Sequence, residues 1–558
     1  MFSSTHFDVF YYVGIAAVAI YSKKLLIDRN RPRPWIWTYL VLGSIALLAG
    51  RLASLLYNHE LSPEENLILT QTLTLQKGSA IFWKEADGTA GPLNAYLLLG
   101  LSSITGFSGF VLGRLAAVLC TWASWILLVL MLRKWLNGRL LVYQLAIFPL
   151  GVLAVTLSPS LLAFRADLTS LILLQTGMTL GMYGLDRHRL FLPAGAAFSL
   201  LPLAQLSSVP VLIASVALLA VLAHRRGQAA ALWRGLATGG GLTLGSIFVG
   251  ICLSQVIDSM LFYYFRRREF PSLFFPWTAA RQAVEVPLFI GLILLWIGYL
   301  LPFKGRTDRL DKIVWGLMGV AFLAGISSGV SHFLLLVYPL TWLVAWLSES
   351  RQRLAPMPLA FSFLSGVVWL LCGLYVALSQ HRLSVYDDAL ATQNSRQQQE
   401  ITALLVRLAR PDSRLVVWGK ANALHVLSQL PQGTRENQVD FLVSRSSGNV
   451  SESRKRYLSD LIRNRPDLFV DYSGVLSQAP DIGQKFPELY YYLQKNYEQV
   501  AEVAGVHIYR LRILASETEK TSPHESGIRH KDRDHQRLRQ GQRRDLRRHS
   551  RQGHPGYA

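Results

Sequence analysis

Apolar residues come in long blocks over the first two-thirds of the chain and thin out afterwards. Windows of about 20 residues, the length needed to cross a bilayer as a helix, mark twelve candidate spans: 8–22, 35–57, 107–134, 139–158, 167–185, 190–206, 209–223, 235–257, 284–303, 313–327, 332–348 and 357–378. The first is short, so a cleaved signal sequence and a re-entrant helix compete with it. Lys23 and Lys24 follow its apolar run and no charged region precedes it, the reverse of a signal peptide, and it is kept as a span. Between the second and third spans, helical periodicity in Glu64–Leu73 and again from Pro92 to Leu99 predicts two short amphipathic helices lying along the membrane surface, in a first loop at 58–106.

Past residue 380 the pattern changes. Ala403, Leu404, Leu405 and Leu408 share a helical face, Arg414-Leu-Val-Val-Trp-Gly419 reads as a buried strand ending in a turn, and Asp467-Leu-Phe-Val-Asp471 reads as a second strand. Strands alternating with helices predict a small α/β domain over 380–512. From 513 onward aliphatic side chains are scarce and basic ones abundant, so this tail has no core to build and is expected to be disordered. The expected fold class is therefore a polytopic α-helical membrane domain, 1–379, followed by a small C-terminal extracytoplasmic α/β domain and a basic tail, 513–558.

Composition agrees with that division. Of the 558 residues 51% are hydrophobic and only 16% charged, well below the quarter usual in soluble domains. The net charge of +21 would by itself suit nucleic acid or anionic lipid, and the location of the charges decides between them. With the N-terminus outside, the six inner connections hold 19 Lys and Arg, whereas the longer outer connections hold 7. That asymmetry is the positive-inside pattern. It assigns much of the basic excess to topology, excludes nucleic acid as the expected partner, and places the α/β domain outside. Cys120, Cys252 and Cys372 all fall within apolar blocks, so they read as small buried hydrophobes rather than a disulfide framework.

A few charges depart from the pattern. Pro63-Glu64-Glu65 opens a helix, with Pro63 suited to its first position and Ser62 to its cap. Negative charge at a helix N-terminus is favourable in itself, and a carboxylate at the mouth of an apolar bundle also suits a general base; spacing does not choose between these. Asp167, after Phe164-Arg165-Ala166, falls at the same end of the bundle, where pairing with Arg165 in interfacial water is the plainer alternative. Arg266, Arg267 and Arg268 sit on the side where cations are otherwise sparse. Their guanidinium forks match phosphate oxygens, on lipid head groups or on a phosphorylated substrate. His332 opens a span at the same face, and Arg51 and Arg114 read as interfacial anchors. No Walker loop, HExxH, GxSxG or zinc pattern appears.

Three stretches together resemble the GT-C superfamily of polytopic glycosyltransferases, in particular the bacterial branch that includes the lipid A aminoarabinose transferase and relatives of the protein O-mannosyltransferases. They are Ser62-Pro-Glu-Glu-Asn-Leu-Ile-Leu-Thr-Gln71 with Gly78, Gly91-Pro92-Leu-Asn-Ala-Tyr96 and Gly113-Arg114-Leu115; then Gly329-Val-Ser-His332-Phe-Leu-Leu-Leu-Val-Tyr-Pro339; then Leu415-Val-Val-Trp-Gly419 with Arg465-Pro-Asp-Leu-Phe-Val-Asp471, Phe486-Pro487-Glu-Leu489 and Asn496-Tyr497. The resemblance implies transfer of a single sugar from a polyprenyl-phosphate donor to a glycolipid, glycan or protein acceptor, with inversion, on the extracytoplasmic side of a bacterial inner membrane. It puts Glu64 at the position of the catalytic carboxylate, usually Asp in the family, with Glu65 on the adjacent acidic position and Asp167 as a second acidic residue. Arg266, Arg267, Arg268, Arg114 and His332 would serve the donor phosphate. Acidic pairs elsewhere in the superfamily hold a divalent cation, so metal use stays open. A flippase or transporter of a lipid-linked sugar is the competing reading. It would require functional charges inside the spans, whereas these gather at one face.

Overall fold

The computed structural model describes residues 60–86, 90–135, 162–261, 388–437, 439–443, 450–473 and 481–512, with scattered positions between 37 and 55. The expected spans 8–22, 139–158, 284–303, 313–327, 332–348 and 357–378, most of 35–57, and the tail from 513 lie outside these described residues.

The bundle helices follow the apolar blocks closely. They are α4 (Gly109–Trp135), α5 (Ala166–Gly184), α6 (Phe191–Ala204), α7 (Val209–Arg225) and α8 (Ala229–Leu253), each within a few residues of an expected span apart from the start of α8. At 1.5 Å per residue α4 is about 40 Å long, more than the roughly 30 Å of bilayer hydrocarbon. Within the described residues Gly109–Met131 and Ala229–Leu253 are long and apolar enough to cross a membrane. They are packed differently. Trp125, Leu128 and Val129 of α4 are buried, whereas α8 holds Leu242, Phe248 and Leu253 exposed, an apolar face that suits hydrocarbon and not water. Cys252 lies on that exposed side, so of the cysteines expected to be buried Cys120 is and Cys252 is not. Cys372 lies outside the described residues.

The first loop folds as α1 (Pro63–Lys77), α2 (Phe82–Glu85) and α3 (Pro92–Thr105). The helices are where periodicity puts them, but α1 is not laid open on a surface: every residue from Glu65 to Leu75 is buried. One side of it, through Leu67, Ile68 and Leu69, packs on Phe110, Leu112 and Ala116 of α4, and the same core takes in Ala423 and Val426 of the C-terminal domain. Its polar residues are buried and do not face water, which gave a sequence pattern indistinguishable from an amphipathic helix.

That domain comprises α10 (Asp388–Leu408), β1 (Leu415–Trp418), α11 (Ala423–Ser428), α12 (Asp440–Val443), α13 (Val450–Asn464), β2 (Leu468–Asp471), α14 (Ile482–Lys485), α15 (Pro487–Asn496), β3 (Tyr497–Val503) and β4 (Val506–Leu511). The sheet order is β1-β2-β4-β3, with β1 and β2 parallel and β4 antiparallel to both neighbours. Strand residues alternate between two cores, as a pleat requires. Leu415, Val417, Leu468 and Val470 meet Ile401 and Leu405 of α10 on one face. Val416, Trp418 and Phe469 meet Tyr457, Leu461 and Phe486 on the other. Burial on both faces explains why the two parallel strands read as continuous apolar runs.

Candidate functional site

Pro63 occupies the first turn of α1, where its missing N–H costs nothing, and starts the helix just before two acidic residues. Ser62 stands at the N-cap but its side chain makes no capping bond, contrary to expectation. Consecutive helix residues point about 100° apart, so the two carboxylates have different surroundings.

Glu65 points into the bundle. Its Oε1 takes a charge-assisted hydrogen bond from Arg114 Nη1 of α4 and the backbone N–H of Phe164 at 3.2 Å, and both charged side chains are 0% exposed. The close approach depends on Gly113: a Cβ there would stand 2.9 Å from Glu65 Oε1. Burial pushes the Glu65 carboxyl up to about 7, and Arg114 and the Phe164 N–H pull against that rise.

Glu64 points outward, with its side chain 27% exposed. Arg165 Nε donates to its Oε2 at 3.1 Å and the backbone N–H of Ala166 donates to its Oε1 at 3.1 Å. Ala166 is the first residue of α5, so Glu64 supplies the anion that the N-terminus of α5 favours. Asp167, one residue on, is fully buried with Arg165 Nε 3.8 Å from its Oδ1. Arg165 thus lies between an accessible carboxylate and a buried one. Upstream, burial also raises the Glu60 carboxyl, with Asn66 of α1 opposing the rise by a hydrogen bond.

Three carboxylates, Glu64, Glu65 and Asp167, therefore meet two guanidiniums, Arg114 and Arg165. The structure corrects two roles. Arg114, read as an interfacial anchor, is instead buried and engaged by Glu65 inside the protein. Arg51 is likewise fully buried, with Nη1 3.4 Å from the Ala117 carbonyl of α4, and so is not at an interface. A guanidinium withdrawn from water has to find such acceptors. Arg266, Arg267, Arg268 and His332 lie outside the described residues. Among the described residues no group of three His, Cys, Asp or Glu is placed to hold a metal ion.

Sequence reading missed the contact between the C-terminal domain and the first loop. Arg414, just before β1, pairs with Glu85 of α2 at 3.0 Å. Lys77 Nζ donates to the Gln429 carbonyl at 2.7 Å, and Thr70 Oγ1 to the Asn422 carbonyl at 3.4 Å. More than 300 residues separate the partners in each case, so no local pattern could have signalled them.

No family profile matches the chain, and no curated protein matches it in sequence. Among solved structures it is similar to ArnT from Cupriavidus metallidurans bound to undecaprenyl phosphate, at 13% identity and a TM-score of 0.53, over 85% of this chain and 97% of that one. The apo form of the same protein matches at 13% identity and a TM-score of 0.46 over the same shares. The archaeal oligosaccharyltransferase AglB from Archaeoglobus fulgidus, in complex with an inhibitory peptide and a dolichol-phosphate, matches at 13% identity and a TM-score of 0.43, over 82% of this chain and 70% of that one. At this identity the likeness is one of fold: the chain is built like the ArnT structure over most of both chains.

Proposed function

We propose that the chain is a membrane glycosyltransferase that moves one sugar from a polyprenyl-phosphate donor to an acceptor on the extracytoplasmic side of a bacterial inner membrane, with Glu64 as general base. The observation that carries this reading is the division of labour between adjacent carboxylates: Glu65 is enclosed with Arg114, while Glu64 is partly open and oriented by two donors at 3.1 Å. The GT-C fold supports it, and the ArnT structure of that fold has undecaprenyl phosphate bound.

In this reading the acceptor hydroxyl gives its proton to a Glu64 carboxylate oxygen as its own oxygen attacks the anomeric carbon. The bond from that carbon to the phosphate oxygen breaks, and polyprenyl phosphate leaves carrying the electron pair. A single displacement inverts the anomeric configuration. A base needs to stand about 2.6–3.2 Å from the proton it takes, and a partly open side chain leaves room for that approach. Arg165 and the Ala166 N–H hold the carboxylate in one orientation, and Asp167 keeps Arg165 in place from its buried side. Arg266, Arg267, Arg268 and His332 are proposed for the leaving phosphate, where fixed cations stabilise charge as it develops. The apolar spans would hold the isoprenoid tail.

Purified protein in liposomes, given radiolabelled polyprenyl-phosphate sugars and membrane extract, tests this directly. Label appearing in a new, donor-independent product supports transfer. Label that changes leaflet while staying on intact donor would favour a flippase instead.

A further inference from the structure

The segment joining α11 to the rest of the C-terminal domain is short, buried and bonded to three separate parts of the molecule. Leu430 to Thr434 are all buried. The segment runs beside β1, where Leu415 N–H donates to the Pro431 carbonyl at 2.9 Å and Gly433 N–H to the Leu415 carbonyl at 2.8 Å. A side chain at Gly433 would come within 2.5 Å of Pro466 and 2.7 Å of Val416, so the segment lies flat on its own domain. Its other side reaches the first loop.

Gln432 is 2% exposed, and its backbone N–H donates to Thr74 Oγ1 of α1 at 3.0 Å. Its Nε2 donates to the Glu85 carbonyl of α2 at 2.7 Å, and its Oε1 accepts from Asn437 Nδ2 at 3.2 Å. Three residues on, Arg435 forks onto Asp460 of α13, with Nε 2.9 Å from Oδ2, and Nη1 donates to Ser259 Oγ at 3.0 Å. Ser259 belongs to α9 (Ile257–Leu261), seven residues before Arg266 in sequence.

We propose that residues 429–435 form a tie from the C-terminal domain to α1, α2 and α9, with Gln432 as a positioning residue for the transfer reaction. The proposal rests on the functional reading above. Glu64 begins α1 and Thr74 and Lys77 lie near its end, so a rigid helix conveys any shift at the tied end to the carboxylate. Arg435 joins the same segment to Ser259 of α9. The tie thereby sets the position of the base from the far end of its helix. Displacements of about 1 Å at a reacting centre can cost on the order of a hundredfold in rate, which makes two hydrogen bonds at a distance consequential.

Two near-isosteric variants remove the bonds from opposite sides: Gln432→Met deletes the amide that holds Glu85, and Thr74→Val deletes the acceptor of the Gln432 N–H. Hydrogen exchange on the full-length protein in nanodiscs is read at amides 78–86 and at β1 and β2, alongside transfer kinetics, with Lys495→Ala on the exposed side of α15 as control. The expected result for either variant is at least tenfold faster exchange at 78–86 with β1 and β2 still protected, and kcat reduced about tenfold or more. The control should match wild type. Unchanged exchange at 78–86 would overturn the tie, and so would equal loosening of the sheet, which would make Gln432 a residue of domain folding only. Exchange is independent of turnover, so wild-type protein that transfers no sugar would defeat the functional reading and leave the tie to be decided by exchange.

Discussion

Replacing Arg114 with Met keeps most of the side-chain volume of α4 but leaves the Glu65 carboxylate in a site with no exposure and one remaining described donor, the Phe164 N–H. Removing one partner of a buried ion pair costs about 3–5 kcal/mol, chiefly through the uncompensated charge that stays behind. The cost should depend on pH in a definite direction. Glu65 already has its carboxyl raised to about 7 by burial. Between its unfolded value of 4.5 and about 7, the native protein holds a proton there that the unfolded chain releases, so its contribution to stability falls as pH rises through that window. Losing Arg114 removes an opposing pull and extends the window upward. Unfolding midpoints in detergent should therefore show Arg114→Met destabilised by about 3–5 kcal/mol at pH 8.5. At pH 5.5, where Glu65 is protonated, the loss should shrink to about 1 kcal/mol, the scale of a lost hydrogen bond. Adding Glu65→Gln to Arg114→Met should restore most of the stability at pH 8.5. A loss equal at both pH values would refute the reasoning, because it would identify packing and not charge as the origin. A loss below about 1 kcal/mol at pH 8.5 would show that the pair is not withdrawn from water.

Two further predictions follow from geometry alone. Gly113→Val places a branched side chain against Glu65 Oε1 and should cost about 1–3 kcal/mol by overpacking, with transfer activity reduced because α1 is pushed away from α4; thermal unfolding and the transfer assay check the two effects. Ala504, at φ +50° in the two-residue turn between β3 and β4, bears a conformation that favours glycine or asparagine, so Ala504→Gly should stabilise the hairpin by about 1 kcal/mol, visible as slower amide exchange in β3 and β4.

How far these features were legible from sequence differs by element. Long apolar helices were, because an apolar run such as that of α4 reaches bilayer length. So were β1 and β2, whose two-sided burial leaves an uninterrupted apolar signature. The β3–β4 hairpin was not: Glu498, Gln499 and Glu502 are exposed on an edge strand, a bulge shifts its register between Gln499 and Ala501, and Ala504-Gly505 lacks the Asn-Gly form of the turn. Of the site, Glu64, Glu65 and Asp167 were picked out as charges at one end of the bundle, and the structure does bring them together. Their separate surroundings were hidden, since a helix places neighbours on different faces but does not say what each face meets. Arg114 shows the consequence. Its charge read as an interfacial anchor, whereas the glycine before it, which admits Glu65, was the better indication of a buried pair. The Gln432 tie was beyond reach for a related reason, as its partners at Thr74 and Glu85 are joined only by the tertiary fold.

The central claim is that Glu64 performs the chemistry while Glu65 holds the structure around it. Turnover of a labelled polyprenyl-phosphate sugar by wild type and Glu64→Gln, each at saturating donor and normalised to folded protein, tests this most directly. Loss of a general base predicts a fall in kcat of about 10²–10⁴-fold, with the unfolding midpoint within about 1 kcal/mol of wild type, as expected for a carboxylate 27% exposed. Wild-type turnover by Glu64→Gln would contradict the account.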